Sequence, residues 1–388
     1  MATRRTKTSA VIAAERARSI WLHAQRLSRR SPFGKGPQAV RAAIEQLGYV
    51  QIDTINVIER CHHHILFNRI PSYSCDDLAD AQSISKSVFE YWTHALSYVP
   101  ISDFRYYVAT MKRHRTEPVG WFSSVEPEEL QGIVKRVRKE GPLSIADIKD
   151  DKLQTKKHLW GSRKPSKRTL QAGFYSGHLV ISKRDGMLKT YELTKRHFGW
   201  RTFPRPATQN QTNQYLLNRA LRAQGIVSLD SVCYLQPKQK PAISALIEKR
   251  VRSGQLVPVA VSGVEKIQHW ASPETLENRT PAPSQTHILS PFDPLMIQRK
   301  RTEQFFDYAH LFEAYIPKAK RKLGYFTLPV LADNEIVAAL DLKTDRQADK
   351  MLIQSWHWVG TGNARAHKPR IEEALDNFER FQLGRTGA

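Results

Sequence analysis

Acidic residues are scarce in this 388-residue chain: 37 Asp and Glu stand against 60 Lys and Arg, a formal charge of +23. Such an excess repels itself and is tolerated where a polyanion is the partner, nucleic acid first and an acidic membrane surface second. Long apolar runs are missing too, and no stretch is long enough to span a bilayer. Cysteine is rare. Cys61, Cys75 and Cys233 are odd in number and lack metal-ligand spacing, which points to reduced thiols and a cytoplasmic setting. Also absent are the phosphate loop, the dinucleotide-binding glycine fingerprint, H-E-x-x-H and C-x-x-C. ATP, nicotinamide and zinc chemistry are therefore disfavoured, and no cofactor or metal is expected. What remains is a globular chain with 40% apolar residues, enough for two or three domains with real cores.

Four regions follow from the pattern: 1–115, 116–205, 206–270 and 287–388. The basic N-terminus (Arg4, Arg5, Lys7, Arg16, Arg18) loosely resembles a transit peptide. Val11, Ile12, Ile20, Leu22 and Leu27 instead read as the buried face of a first helix over 10–28, with a second helix over 37–47. A short strand, 49–53, follows. Asn56-x-x-Glu59 then reads as a capping-box helix start.

The second region has the clearest layout. A helix over 126–139 turns Leu130, Ile133, Val134 and Val137 inward and breaks at Gly141-Pro142. Ser144 is a candidate N-cap for a short helix through Asp150, and a third helix covers 166–178. Two strands then meet at Lys183-Arg184-Asp185-Gly186, a hairpin signal. Three helices followed by a hairpin describe a winged helix-turn-helix, with the third helix entering the major groove and the wing on phosphate. A weaker copy of this order spans 208–224, 227–229, 239–253 and the strand 256–261, and Pro, Ser and Thr mark 271–286 as a linker. Beyond it, 325–331 and 336–342 read as a buried hairpin, followed by a terminal helix at 368–382. The expected fold is α+β, with tandem winged-helix motifs and a C-terminal hairpin-containing region that completes a DNA channel.

Gln51-Ile52-Asp53 is the sharpest constellation. In a strand, Gln51 and Asp53 share a face while Val50 and Ile52 turn to the core. An amide and a carboxylate so placed hold one water between them, and a following helix N-terminus favours the ionised acid. An ionised Asp activates water and stabilises a nearby cation. That suits hydrolysis of a glycosidic bond through an oxocarbenium-like transition state, by analogy with sugar hydrolysis. A purine alkylated at N7 is already cationic and needs no strong general acid. By itself, such a pair at a strand end is more often a turn-and-cap arrangement than a catalytic site.

His62, His63 and His64 stand about 100° apart on a helix and cannot all reach one ion, so packing and phosphate contact are expected of His62 and His63. Basic clusters at 163–168, Lys183-Arg184, Arg299-Lys300-Arg301 and 318–322 lie near Trp160, Tyr308, Tyr315 and Tyr325 in sequence. Together they suggest a surface that tracks phosphate. The expected DNA contacts are His62, His63, Arg69, Lys164, Lys167, Arg168, Lys183, Arg184, Arg299, Arg301, Lys320 and Arg321.

The run Gln51 to Arg69, QIDTINVIERCHHHILFNR, resembles the winged-helix interstrand-crosslink DNA glycosylases of the AlkZ/YcaQ type. The likeness continues at Phe89-Glu90-Tyr91-Trp92-x-His94-Ala95, Ser290-Pro291-Phe292-Asp293-Pro294-Leu295, Glu313-x-Tyr315-x-Pro317, Gly324-Tyr325 and Asp341-x-Lys343-x-Asp345-Arg346. The blocks run in order along nearly the whole chain. The resemblance implies excision of N7-alkylated purines and unhooking of crosslinks in double-stranded DNA, by a monomer without metal or nucleotide cofactor. It implies Asp53 as water activator and cation stabiliser, with Gln51 orienting the water or sugar. The Gln–apolar–Asp form resembles the broader-specificity branch, and a Gln–apolar–Gln form belongs to antibiotic self-resistance enzymes. Where relatives often carry Gly-Arg, this chain has Ala338-Ala339-Leu340, and a basic contact is missing. The residues alone also fit a winged-helix transcription regulator without activity, a nuclease or lyase, or an architectural DNA-binding protein.

Overall fold

The computed structural model describes residues 10–118, 124–149, 162–278 and 283–384. Trp160, Arg4, Arg5, Lys7 and Asp150 lie outside the described residues. The chain divides into two compact units: 1–74 with 213–388, and 75–212. This division cuts the expected first region, and the helix Gln209–Gln224 runs across the second cut.

The larger unit is built on two four-stranded sheets. In the first, Ala10–Ile12 pairs parallel with Val257–Val261, which pairs antiparallel with His269–Ala271, and that with Ile226–Ser228. The expected helix over 10–28 therefore begins as a strand, and the helix proper is Ala14–Ala24. β-Branched Val11 and Ile12 favour extended backbone. Val11 points to solvent rather than to a core. Ala17, Ile20 and Trp21 bury at helical spacing, with Leu22 beside them, against Ile226, Val259, Val261, Leu289, Leu295, Met296, Phe305 and Phe306. Residues from three stretches of chain thus share one core, and each fully buried aliphatic or aromatic side chain contributes about 1.5–3 kcal/mol.

In the second sheet the order is Thr286–Ile288, Thr327–Ala332, Glu335–Asp345, Lys350–Trp358, all antiparallel. The hairpin read at 325–342 is its centre; the edge strand Lys350–Trp358 was not anticipated. Its mixed, half-exposed pattern lacks the apolar signal of its neighbours. Ala338, Ala339 and Leu340 are fully buried in the central strand. The closing helix Ala364–Gln382 places Ile371, Leu375, Phe378 and Phe381 inward.

In the smaller unit, the helix Pro127–Glu140 has a Glu126/Glu129 capping box and buries Ile133 and Val137. Ser144 does cap, accepting the Ala146 N–H at 3.1 Å, but what it starts is the 3-10 turn Ile145–Asp147. The helix Pro165–Tyr175 follows. The hairpin Leu179–Asp185/Leu188–Leu193 then turns on Gly186-Met187, with Gly186 at φ 55° as such a tight turn requires. Leu143–Ser144 adds a third strand beside Leu188–Leu193. Val88–Trp92 and Leu96–Pro100 pair antiparallel in the same unit.

Candidate active site

The Gln51-Ile52-Asp53 segment lies in the larger unit, where the strand is only Val50–Gln51. Strict alternation fails: Val50, Gln51 and Ile52 are all buried, and Asp53 is half-buried. The chain leaves the strand at Ile52, so Gln51 and Asp53 are not placed by one pleat. Asp53 instead closes a local turn, its Oδ1 accepting the Ile55 N–H at 2.8 Å. This is the way Asp side chains commonly organise turns. Its Oδ2 has no hydrogen-bond partner among the described residues.

The helix after the motif begins at Cys61, five residues later than Asn56, with Arg60 as a cap that makes no side-chain bond. Glu59 accepts the Arg60 N–H instead. Residues 53–60 are thus a loop, and contacts from distant chain hold it. Thr344 donates its N–H to Val57 O at 2.9 Å, Arg346 reaches Asn56 through both Nη atoms, and the Glu59 N–H donates to Gln382 Oε1. Cys61 lies fully buried and its thiol donates to Gln51 O at 3.2 Å. Burial first, and then the charge of Asp53, push that thiol well above its ordinary range. It stays a neutral spacer under the motif.

Next to this loop runs a second one, 313–326, which two carboxylates fasten. Glu313 accepts the N–H groups of Lys322 and Leu323, each at 2.7 Å, and of Gly324 at 3.3 Å. These bonds draw its carboxyl below the usual range, against the opposing pull of burial. Asp341 accepts from Tyr325 at 2.7 Å and Phe326 at 3.0 Å. Gly324 sits at φ 150°, and a Cβ there would fall 2.3 Å from the Asp341 carboxylate. We therefore expect Gly324→Ala to cost about 1–3 kcal/mol through backbone strain and to release the loop. Urea unfolding would measure this, and a midpoint equal to wild type would refute it.

The expected DNA contacts separate by burial. Lys164, Lys167, Lys183, Arg299 and Lys320 are exposed, and Arg321 is partly so. Arg69 is a correction. Its side chain is 0% exposed and forms a two-pronged pair with Asp293 at 2.8 and 3.0 Å. It also donates to Gln25 O, Gln25 Oε1 and Ile65 O. Arg184 is buried against Glu90, with two bonds of 2.6 Å, and Arg168 is buried with Nη1 on Ser124 Oγ. Arg301 is buried between the Trp21 and Phe305 rings, 4.3 and 4.5 Å away, donates to Ile226 O, and is lowered by burial to about 9. None of these four presents its guanidinium to solvent. Arginine spacing cannot distinguish a surface cluster from a core tie, because long side chains fold inward wherever acceptors wait.

His62 is buried with its ring 4.3 Å from that of His63, which is half-buried and bonds Tyr73 Oη at 2.6 Å through Nδ1. His64 donates to Ile288 O through Nε2, and burial lowers it to about 4, so it is neutral. Among the described residues no three His, Cys, Asp or Glu side chains group to hold a metal, and no helix is long and apolar enough to cross a membrane. Tyr308 is buried, while Tyr315 and Tyr325 reach the surface.

A family model described as DNA glycosylase AlkZ-like matches residues 44–381, and so takes in the motif, both loops and the Arg69–Asp293 pair. The chain belongs to the AlkZ-like DNA glycosylase family. A solved structure, the Streptomyces sahachiroi DNA glycosylase AlkZ, is similar at 14% identity and TM-score 0.60, covering 97% of each chain. That likeness is one of fold: helices with several small sheets, as in AlkZ. The roles of Glu313, Asp341, Thr344 and Gln382 in this AlkZ-like chain are not legible in the residue pattern, although the first two stand in its most family-like blocks. Their signal is a carboxylate or amide needed where loop amides are buried, which becomes visible only once the loops are placed.

Proposed function

We propose that this AlkZ-like protein is a monomeric glycosylase that hydrolyses the N-glycosidic bond of N7-alkylated purines and unhooks interstrand crosslinks in duplex DNA, without metal or nucleotide cofactor. The observation that carries the reading is Asp53: half-buried, anchored through Oδ1 and with Oδ2 uncommitted, within the matched family region. In this reading Oδ2 takes a proton from the attacking water while the carboxylate's charge stabilises the oxocarbenium-like sugar. The purine leaves with the electron pair of the broken bond, and Gln51 orients water or sugar. A base tethered to the opposite strand cannot swing out as most excised bases do. A crosslinked target therefore stays largely stacked, in a duplex held by exposed lysines such as Lys320, whereas a singly alkylated base has no such tether and can leave the stack. The elements 127–193 support a winged helix whose helix Pro165–Tyr175 offers Lys167 to DNA, with Lys183 on the wing.

The test is base release from duplexes carrying one N7-methylguanine or a nitrogen-mustard crosslink, with EDTA throughout. Release is expected, and binding should weaken steeply with salt, as phosphate contacts require. Tight, sequence-selective binding with no release from either lesion would replace this reading with the regulator.

A further inference from the structure

The loop 313–326 carries an aromatic surface that the chemistry assigned to Asp53 does not use. Tyr315 is 75% exposed, an unusual state for a large ring. It is nevertheless footed: its ring meets Phe312 edge-on at 5.8 Å, and Phe312 meets Phe292 and Phe326 at 5.2 and 5.9 Å. Arg299 lies over Phe312 and Arg321 over Tyr325, at 5.6 and 4.8 Å. The surface therefore alternates rings and guanidinium groups, as strand-stacking surfaces do.

Its position relative to Asp53 follows from one strand. Asp341 fastens Tyr325 and Phe326, and Thr344, three residues on, fastens Val57. Three strand residues span roughly 10 Å. Both loops thus hang from neighbouring points of Glu335–Asp345, close enough that the Asp53 charge, after burial, helps raise the Tyr315 hydroxyl. An open ring next to an uncommitted carboxylate is complementary to a flat cation: the ring face attracts positive charge, and so does the acid.

We propose that Tyr315 is a substrate-contacting and specificity-determining residue, the ring on which the cationic alkylated purine stacks while Asp53 faces its sugar. The proposal rests on the glycosylase reading above. A neutral purine gains stacking from this ring but not the cation–π part, so discrimination against undamaged bases begins there.

The experiment is single-turnover release from a duplex with one N7-methylguanine, for wild type, Tyr315→Ala and Tyr315→Phe, alongside affinity for the undamaged duplex. Tyr315→Ala should lose about tenfold to a hundredfold in release, the range of one base–ring stack. Tyr315→Phe should stay within about threefold of wild type, because it keeps the ring face. Affinity for undamaged duplex should fall by less than release does, because a neutral purine loses only the stacking part and not the cation–π part, and thermal stability should be unchanged. Equal release by Tyr315→Ala and wild type overturns the proposal while leaving the glycosylase reading intact. A Phe variant as weak as the Ala variant overturns it by assigning the role to the hydroxyl. An equal loss of affinity for undamaged duplex overturns it in favour of a general DNA contact. Absence of release by wild type removes both readings together.

Discussion

Asp53→Asn should abolish most base release, by about 10²- to 10⁴-fold, the usual worth of a positioned acid–base group, while DNA affinity and stability hold. The substitution is well matched to the question. Asn keeps the side-chain oxygen that accepts the Ile55 N–H at 2.8 Å, so the turn survives. What is lost is the charge and the proton-accepting oxygen. Any effect on rate then belongs to chemistry and not to a collapsed loop. Single-turnover release of N7-methylguanine at saturating enzyme measures it directly. Release within a few-fold of wild type would remove Asp53 from the centre of the mechanism. Gln51→Ala is a less clean probe, because that side chain is 7% exposed and its loss also leaves a cavity.

Asp293→Ala should destabilise the protein by about 3–5 kcal/mol, since it leaves a buried guanidinium without its counter-charge. Arg69 donates five hydrogen bonds from a fully buried position, two of them to Asp293. They tie the end of the helix Cys61–Phe67 to Gln25 and to the Leu289–Met296 stretch of the core. The double change Arg69→Met with Asp293→Leu should recover most of the loss, as paired apolar replacements of buried ion pairs often do. Urea unfolding of the three proteins decides it. If Arg69→Ala left stability unchanged and instead lowered the salt dependence of DNA binding by about one phosphate contact, the buried pair would be the wrong description and the sequence expectation of a DNA contact would stand.

Much of this protein is legible without coordinates. Helix periodicity places 126–139, 208–224 and 239–253 to within a residue or two, because an amphipathic face must recur every three to four positions whatever it packs against. The Asp185-Gly186 turn and the buried hairpin around Asp333 follow from turn chemistry, which is local. The family's marks are likewise legible, since its blocks keep their order along the chain.

Other features were settled only by tertiary structure. Ala10–Ile12 became a strand because Val257–Val261 offers an open edge, which no local propensity foresees. The helix after the motif starts at Cys61 because Thr344, Arg346 and Gln382 hold 56–59 out of the helix from about three hundred residues away in sequence. Arg69, Arg168, Arg184 and Arg301 are core or ion-pair residues, while Lys164, Lys167, Lys183, Arg299 and Lys320 face solvent. The reason is common to all of them. Periodicity and turn preference are properties of a few consecutive residues, and composition carries those. Whether a charged side chain meets water or a buried carboxylate depends on what the rest of the chain brings to it, and only the assembled fold decides that.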